Sequence, residues 1–173
     1  RSACVRVLIT GATTSSSVRL NNVLISGSVR AVGFWASAPP SSLSTFNATD
    51  LAVLNAVGAN ADAIPMAPLP ARAAAVPVAG VALYGFSRAH VQRATVTGNV
   101  GSGLLIDSAA VADARVAVSQ LACSSNRAAT GACAVVAADD TAFDGSSFVS
   151  NAAAGRGGAI RWRGVPPHSF SNS

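Results

Sequence analysis

The sequence has no lysine and no glutamate: its 12 basic residues are all arginine and its seven acids are all aspartate. Charged residues make up only 11% of the chain, where globular domains usually carry about a quarter. Ser, Thr, Asn and Gly, attached sugars or a neighbouring chain must therefore solvate the surface. Disorder is excluded, because half of the residues are hydrophobic and a disordered chain combines low hydrophobicity with high charge. Long apolar runs are missing too. The apolar stretch between Arg72 and Arg88 holds 15 residues and contains Pro77, short of the roughly 20 that cross a bilayer as a helix, so direct membrane insertion is not expected. The chain opens on Arg1 without Met or a leader, which reads as a processed piece of something longer.

What is present is 173 residues, enough for one domain with a sizeable core, and a net charge of +5. A basic balance invites a nucleic-acid reading. The arginines are scattered, however, with only Arg161 and Arg163 close together, and aromatics are not interleaved with them as a base-stacking platform requires. No nucleic-acid partner is expected; weak attraction to acidic polysaccharide is favoured.

Of the three cysteines, Cys123 and Cys133 bracket a turn-like stretch. A disulfide closing so short a loop is the favoured reading, with two reduced, buried thiols as the alternative. Cys4 is left over, with no assignable partner. Neither His90 nor His168 falls at a ligand-like spacing from the cysteines, so neither a metal nor a cofactor is expected. Asn47-Ala48-Thr49 is an N-glycosylation acceptor. Together with a disulfide it points to an extracellular or cell-surface compartment.

The second half of the chain repeats. Gly80, Gly103, Gly131 and Gly157 fall at steps of 23, 28 and 26, and Asn99, Asn126, Asn151 and Asn172 at steps of 27, 25 and 21. Each unit is a glycine, a short apolar strand, a turn, a second short strand and a closing asparagine. Strands of three to five residues, such as Val116-Ala117-Val118, cannot bury a core as a flat sheet; stacked coil on coil they can. Glycine suits a tight corner with unusual φ. An asparagine recurring at one corner tolerates the left-handed conformation, and stacked asparagines form a ladder. The expected fold is an all-β, right-handed parallel β-helix of about four to six coils. It occupies 1–173 as a single segment of a longer chain. The first half matches more loosely, through 18–26 and the asparagine-ending 50–55. Residues 56–79, with Pro65, Pro68, Pro70 and Pro77, are expected as a loop ejected from the stack, since proline cannot donate to a ladder; 36–44 is expected as a second loop. A short helical turn within 108–117 is the remaining place for helix, because alanine is the best helix former.

Phe148-Val149-Ser150-Asn151 followed by Gly157-Gly158-Ala159-Ile160 resembles the paired FxxN and GGA[IVL] motifs of the polymorphic outer-membrane-protein repeat, typical of chlamydial surface adhesins and found in large secreted proteins of algae and other protists. The pairing occurs once, over 148–160. The coils from Gly80 onward resemble pectate-lyase-type, pectin-lyase-like parallel β-helix repeats. The resemblance implies a coiled stack displayed at a cell surface, with no cofactor; its Phe, Asn and Gly are structural.

Many parallel β-helices degrade polysaccharides. Inverting glycosidases need paired carboxylates on one face. Asp139-Asp140 is the adjacent pair and resembles that of polygalacturonases, but the companion Asn-Thr-Asp, Gly-His-Gly and Arg-Ile-Lys motifs are missing, so a solvated turn is expected. His90 is expected in a turn entering a strand and His168 in a loop, neither with a nucleophile at a recognisable spacing. Gly155-Arg156-Gly157-Gly158 lacks the Lys-Ser/Thr of a phosphate loop. The expected role is a non-catalytic structural or interaction module of an extracellular protein of wall, matrix or appendage. Its partners would be neighbouring coils or subunits and glycans. A polysaccharide-binding or polysaccharide-degrading domain and a surface adhesin are the alternatives.

Overall fold

A computed structural model describes residues 5–10, 15–27, 32–40, 43–60, 77–155, 157–163 and 168–171. Cys4, Pro65, Pro68, Pro70 and Asn172 lie outside the described residues. The strands are β1 (Val5–Leu8), β2 (Ser17–Ser26), β3 (Phe34–Ser37), β4 (Thr45–Leu54), β5 (Ala59–Asn60), β6 (Pro77–Tyr84), β7 (Arg88–Thr97) and β8 (Ser102–Asp107). They continue as β9 (Arg115–Ser124), β10 (Arg127–Ala128), β11 (Ala134–Ala137), β12 (Asp140–Asp144), β13 (Ser147–Val149), β14 (Ala152–Ala153), β15 (Ile160–Trp162) and β16 (His168–Ser171). The chain is all-β, a parallel β-solenoid of about five turns.

Two long parallel sheets form its walls. The first runs β1-β3-β6-β8-β11-β15 and the second β2-β4-β7-β9-β12-β16, each following chain order along the stack. The third wall is slight: β10 pairs with β14, and isolated bridges join Val57, Val100 and Arg127. Alternation decides which side chains enter the core. β4, β7 and β9 bury every second residue, so Phe46, Ala89 and Val116 stack in one inward row and Ala48, Val91 and Val118 in the next. Each buried Val, Leu or Phe stabilises the stack by about 1.5–3 kcal/mol. The first sheet is apolar on both faces: Leu83, Leu104 and Ile106 face the main core, while Trp35, Ala82, Tyr84, Leu105 and Val135 form a second buried cluster on its other side. Burial of both faces is the usual condition of a parallel sheet.

Each turn has more strand segments than the two expected. The stretch between Tyr84 and Ala94, expected as a turn, contains the first half of β7. Alternation failed to reveal it because a left-handed residue breaks the strand midway. Asn22, Asp50, Arg93 and Gln120 occupy this bend in successive coils with φ of 51–56°, and Gly145 takes it in the next. The bend rotates the second half of each strand, so one ten-residue strand lines two sides of the core.

The loops also differ from expectation. β5 pairs antiparallel with the start of β6, placing Asn60 opposite Pro77, so 59–60 and 77–79 belong to strands, and 61–76 lie outside the described residues. Pro77 is tolerated because the first residue of a strand need not donate to the ladder. Ala36 and Ser37 likewise lie in β3. Among the described residues there is no helix; 108–114 is an irregular turn leading to β9.

Candidate functional site

Asn99, Asn126 and Asn151 form an interior ladder. The Asn99 amide nitrogen donates to Asn126 Oδ1 at 2.8 Å and to the Val53 carbonyl at 3.0 Å. Asn126 repeats this one coil on, donating to Asn151 Oδ1 and to the Val96 carbonyl, both at 2.9 Å. Each Oδ1 also accepts the backbone N–H one coil earlier: Ala56 to Asn99, Asn99 to Asn126 and Asn126 to Asn151, at 2.9–3.1 Å. The asparagines themselves are not left-handed. That conformation falls on the residue before each, Gly98 (φ 67°), Ser125 (56°) and Ser150 (54°), which turns the asparagine inward. Asn55 (50°) is such a preceding residue, and Ala56 holds the ladder slot in its coil.

Two of the four expected glycine corners are not corners. Gly131 and Gly157 adopt left-handed φ of 53° and 71°. Gly80 and Gly103 lie inside β6 and β8 with ordinary strand backbone. A Cβ on Gly80 would strike the Val53 side chain, and one on Gly103 the Val96 side chain. The same layer pairs Ile25 with Gly33 one coil earlier. One coil later it pairs Cys123 with Cys133, which are joined as a disulfide with Cα atoms 6.1 Å apart. The bridge thus occupies the core layer that other coils fill with a β-branched residue against glycine.

The outer face of the second sheet carries the polar chemistry. Its first row runs Ser17, Thr45, Arg88, Arg115, Asp140 in register, and its second Arg19, Asn47, His90, Ala117, Ala142. These residues face out because Phe46, Ala89, Val116 and Thr141 face in. Thr45, Asn47, Arg88, His90, Arg115 and Asp140 line a groove of about 420 Å³, floored in part by Ala117 and Ala142. Asn47, the glycosylation acceptor, sits at one end, half-buried in mid-strand rather than on a loop. His90 lies within β7 and is exposed, not in a turn; Asp140 opens β12. Arg88 and Arg115 are direct neighbours on adjacent strands.

The bend row treats charge differently. Arg93 there makes a two-pronged ion pair with Asp50 of the preceding coil, Nε to Oδ1 at 2.7 Å and Nη2 to Oδ2 at 2.8 Å. The guanidinium holds the Asp50 carboxyl below its ordinary range. Among the described residues no ion pair neutralises Arg88 or Arg115, although Asp140 is the register neighbour of Arg115.

Sequence reasoning treated Asn47, His90 and Asp140 singly and missed Arg88 and Arg115, because four strands from four coils bring the groove together. Among the described residues no three of His, Cys, Asp and Glu gather as a metal-binding group, and no helix is long and apolar enough to cross a membrane. The disulfide is compatible with an extracellular protein. Fold and surface define a parallel β-solenoid with an interior asparagine ladder and a cationic outer groove. No family model, curated protein or solved structure matches the chain.

Proposed function

We propose that the chain is a non-catalytic interaction module of an extracellular or cell-surface protein, in which a rigid solenoid presents rows of side chains to a partner. The observation that carries this is the groove itself. Its polar residues repeat once per coil on strands whose backbone is consumed by pairing on both sides, so the surface is held rigid from within. A glycosylated Asn47 would border this face and help to solvate a chain so poor in charge.

The polymorphic outer-membrane-protein resemblance gains a physical meaning that supports a surface-displayed stack. Phe148 stands in register with Cys123, Asn151 is the last rung among the described residues, and Gly157 provides the left-handed corner before β15. The motif therefore specifies one coil: a core-filling aromatic, a ladder rung and a turn. A pectin-lyase-like relationship rests on the same stacked coils and asparagine rungs.

A polysaccharide-degrading enzyme is the second reading, because the groove contains a carboxylate, Asp140, in register with Arg115. Incubation with pectins and alginates, followed by assays for reducing and unsaturated ends, separates the two. The interaction module gives no turnover. Product release that disappears in Asp140→Asn overturns it in favour of the enzyme.

A further inference from the structure

We propose that the Cys123–Cys133 bridge is a redox clasp. β13 and Ala159 cover it and govern its exchange with outside thiols, and the intact bridge in turn holds that cover in place.

Neither cysteine meets solvent: Cys123 is 1% exposed and Cys133 0%. An attacking thiolate must therefore wait for an opening. The two sides of the layer differ in how readily they open. Toward the start of the stack lie Val96, fully buried, and Gly103, with the Val53–Gly80 and Ile25–Gly33 layers behind them. Toward the other end Cys123 is covered by its register partner Phe148 on β13, and the Cys133 N–H donates to the Ala159 carbonyl at 2.8 Å. Both covering side chains are only half-buried. β13 has three residues and, among the described residues, pairs with β9 alone. A short strand with one paired edge and few buried contacts lies at the low end of local stability, so opening there costs less than unfolding the stack.

The surroundings suit both redox states. Asn126 Nδ2 stands 3.2 Å from Cys123 Sγ, and Asn151 Oδ1 3.7 Å from it. Once the cover lifts, the thiolate of a small molecule or protein attacks Cys133 Sγ. A new S–S bond forms between them, the Cys123–Cys133 bond breaks, and Cys123 leaves as the thiolate. The Asn126 amide N–H stabilises that leaving group, and a stabilised thiolate leaves faster. A proton from water completes the Cys123 thiol, which donates to Asn151 Oδ1. A second thiolate then frees Cys133, and the reductant departs as its own disulfide. In the oxidised form the Cα atoms of Cys123 and Cys133 are held 6.1 Å apart, and these two residues carry Phe148 and Ala159. Reduction frees that spacing and loosens the cover, since coupling of this kind is reciprocal.

The test is reduction of the folded full chain by reduced glutathione, with thiols trapped by iodoacetamide and read peptide by peptide, so that Cys4 is counted apart. Reduction is expected to be at least about 100-fold slower in buffer than in denaturing urea, with the first glutathione adduct on Cys133. Phe148→Ala thins the cover and speeds reduction at least about tenfold; Phe148→Leu, a milder truncation, moves it in the same direction. Val18→Ala, at a half-buried core position of β2 at the far end of the stack, lowers the urea midpoint but speeds reduction less than about twofold. Circular dichroism establishes that each variant is folded. In Cys123→Ser/Cys133→Ser, hydrogen exchange of the Ala152 amide, bonded just beyond β13, quickens at least about tenfold, while that of the Gly27 amide at the opposite end stays within about twofold. Reduction as fast in buffer as in urea overturns the clasp. Equal acceleration by Phe148→Ala and Val18→Ala traces reduction to unfolding of the whole stack and overturns the cover. A first adduct on Cys123 overturns the choice of leaving group. Equal changes at Ala152 and Gly27 overturn the hold of the bridge on its cover.

Discussion

Removing one rung of the asparagine ladder tests whether interior hydrogen bonds or side-chain volume hold the coils in register. Asn126 is fully buried. In Asn126→Ala, the Asn99 backbone N–H and one Asn99 amide proton lose their acceptor, and the Val96 carbonyl loses the amide donor. Asn151 Oδ1 keeps the N–H of residue 126. Three interior groups are orphaned, each costing about 1–3 kcal/mol, and water entering the vacated space offsets part of this. We expect a loss of about 3–5 kcal/mol, a large share of a typical stability of about 5–15 kcal/mol. Asn126→Leu restores the volume but not the hydrogen bonds, and must be nearly as damaging. Asn151→Ala, on a half-buried rung, must cost less than either. Urea titration followed by far-UV circular dichroism measures all three, provided the slope stays constant. If Asn126→Leu falls within about 1 kcal/mol of the parent protein, the ladder is a packing feature and the hydrogen-bond argument fails.

Reducing the Cys123–Cys133 bridge, which spans a sequence separation of 10, should cost roughly 3 kcal/mol by releasing the unfolded chain; thiol titration of the denatured, unreduced protein should find one free thiol, and three would dismiss the bridge. Gly103→Ala should destabilise by about 1–3 kcal/mol through overpacking against Val96, and Val96→Ala in the same chain should recover part of that loss. Strict additivity of the two substitutions would show that they do not share a layer. Burial raises the Asp107 carboxyl above its ordinary range, with the Ala109 N–H and Arg163 opposing the shift. The folded state therefore holds that proton more tightly. Its contribution is present in full below the ordinary aspartate range and is lost as pH rises through the raised value. Asp107→Asn should accordingly raise the melting temperature at pH 7, the gain closing as pH falls to about 3.5; a gain independent of pH would remove the titration argument.

The asparagine spacing was legible because a ladder demands one chemical identity at one place in every coil. The cysteine pair was legible for a related reason, since two thiols across a short turn have few other uses. The glycine spacing was only half legible. A glycine under a valine and a glycine at a left-handed corner look alike in sequence, so Gly80 and Gly103 were grouped with Gly131 and Gly157. The bend in every coil was hidden because Arg93 and Gln120 give no sign of left-handed backbone, whereas Asn22 and Asp50 are residue types that tolerate it. Asn55 misled by one place, falling on the turn residue while Ala56 took the rung. The groove escaped because Thr45, Arg88, Arg115 and Asp140 become a row only after four strands are set in register, and inserted loops of unequal length blur that register along the chain.

The disulfide also has a mechanical consequence. The hydrogen bonds between coils point along the solenoid axis, so a pull on the chain ends loads the stack as a zipper, one coil at a time. Cys123 and Cys133 close a loop within a single coil and tie no coil to the next. The bridge would leave the force for peeling each coil almost unchanged while withholding length from the release. Ten residues span at most about 35 Å when extended, whereas the bridged Cα atoms stay 6.1 Å apart. Under tension, oxidation at this layer would set how far the stretched chain can reach rather than how hard it must be pulled.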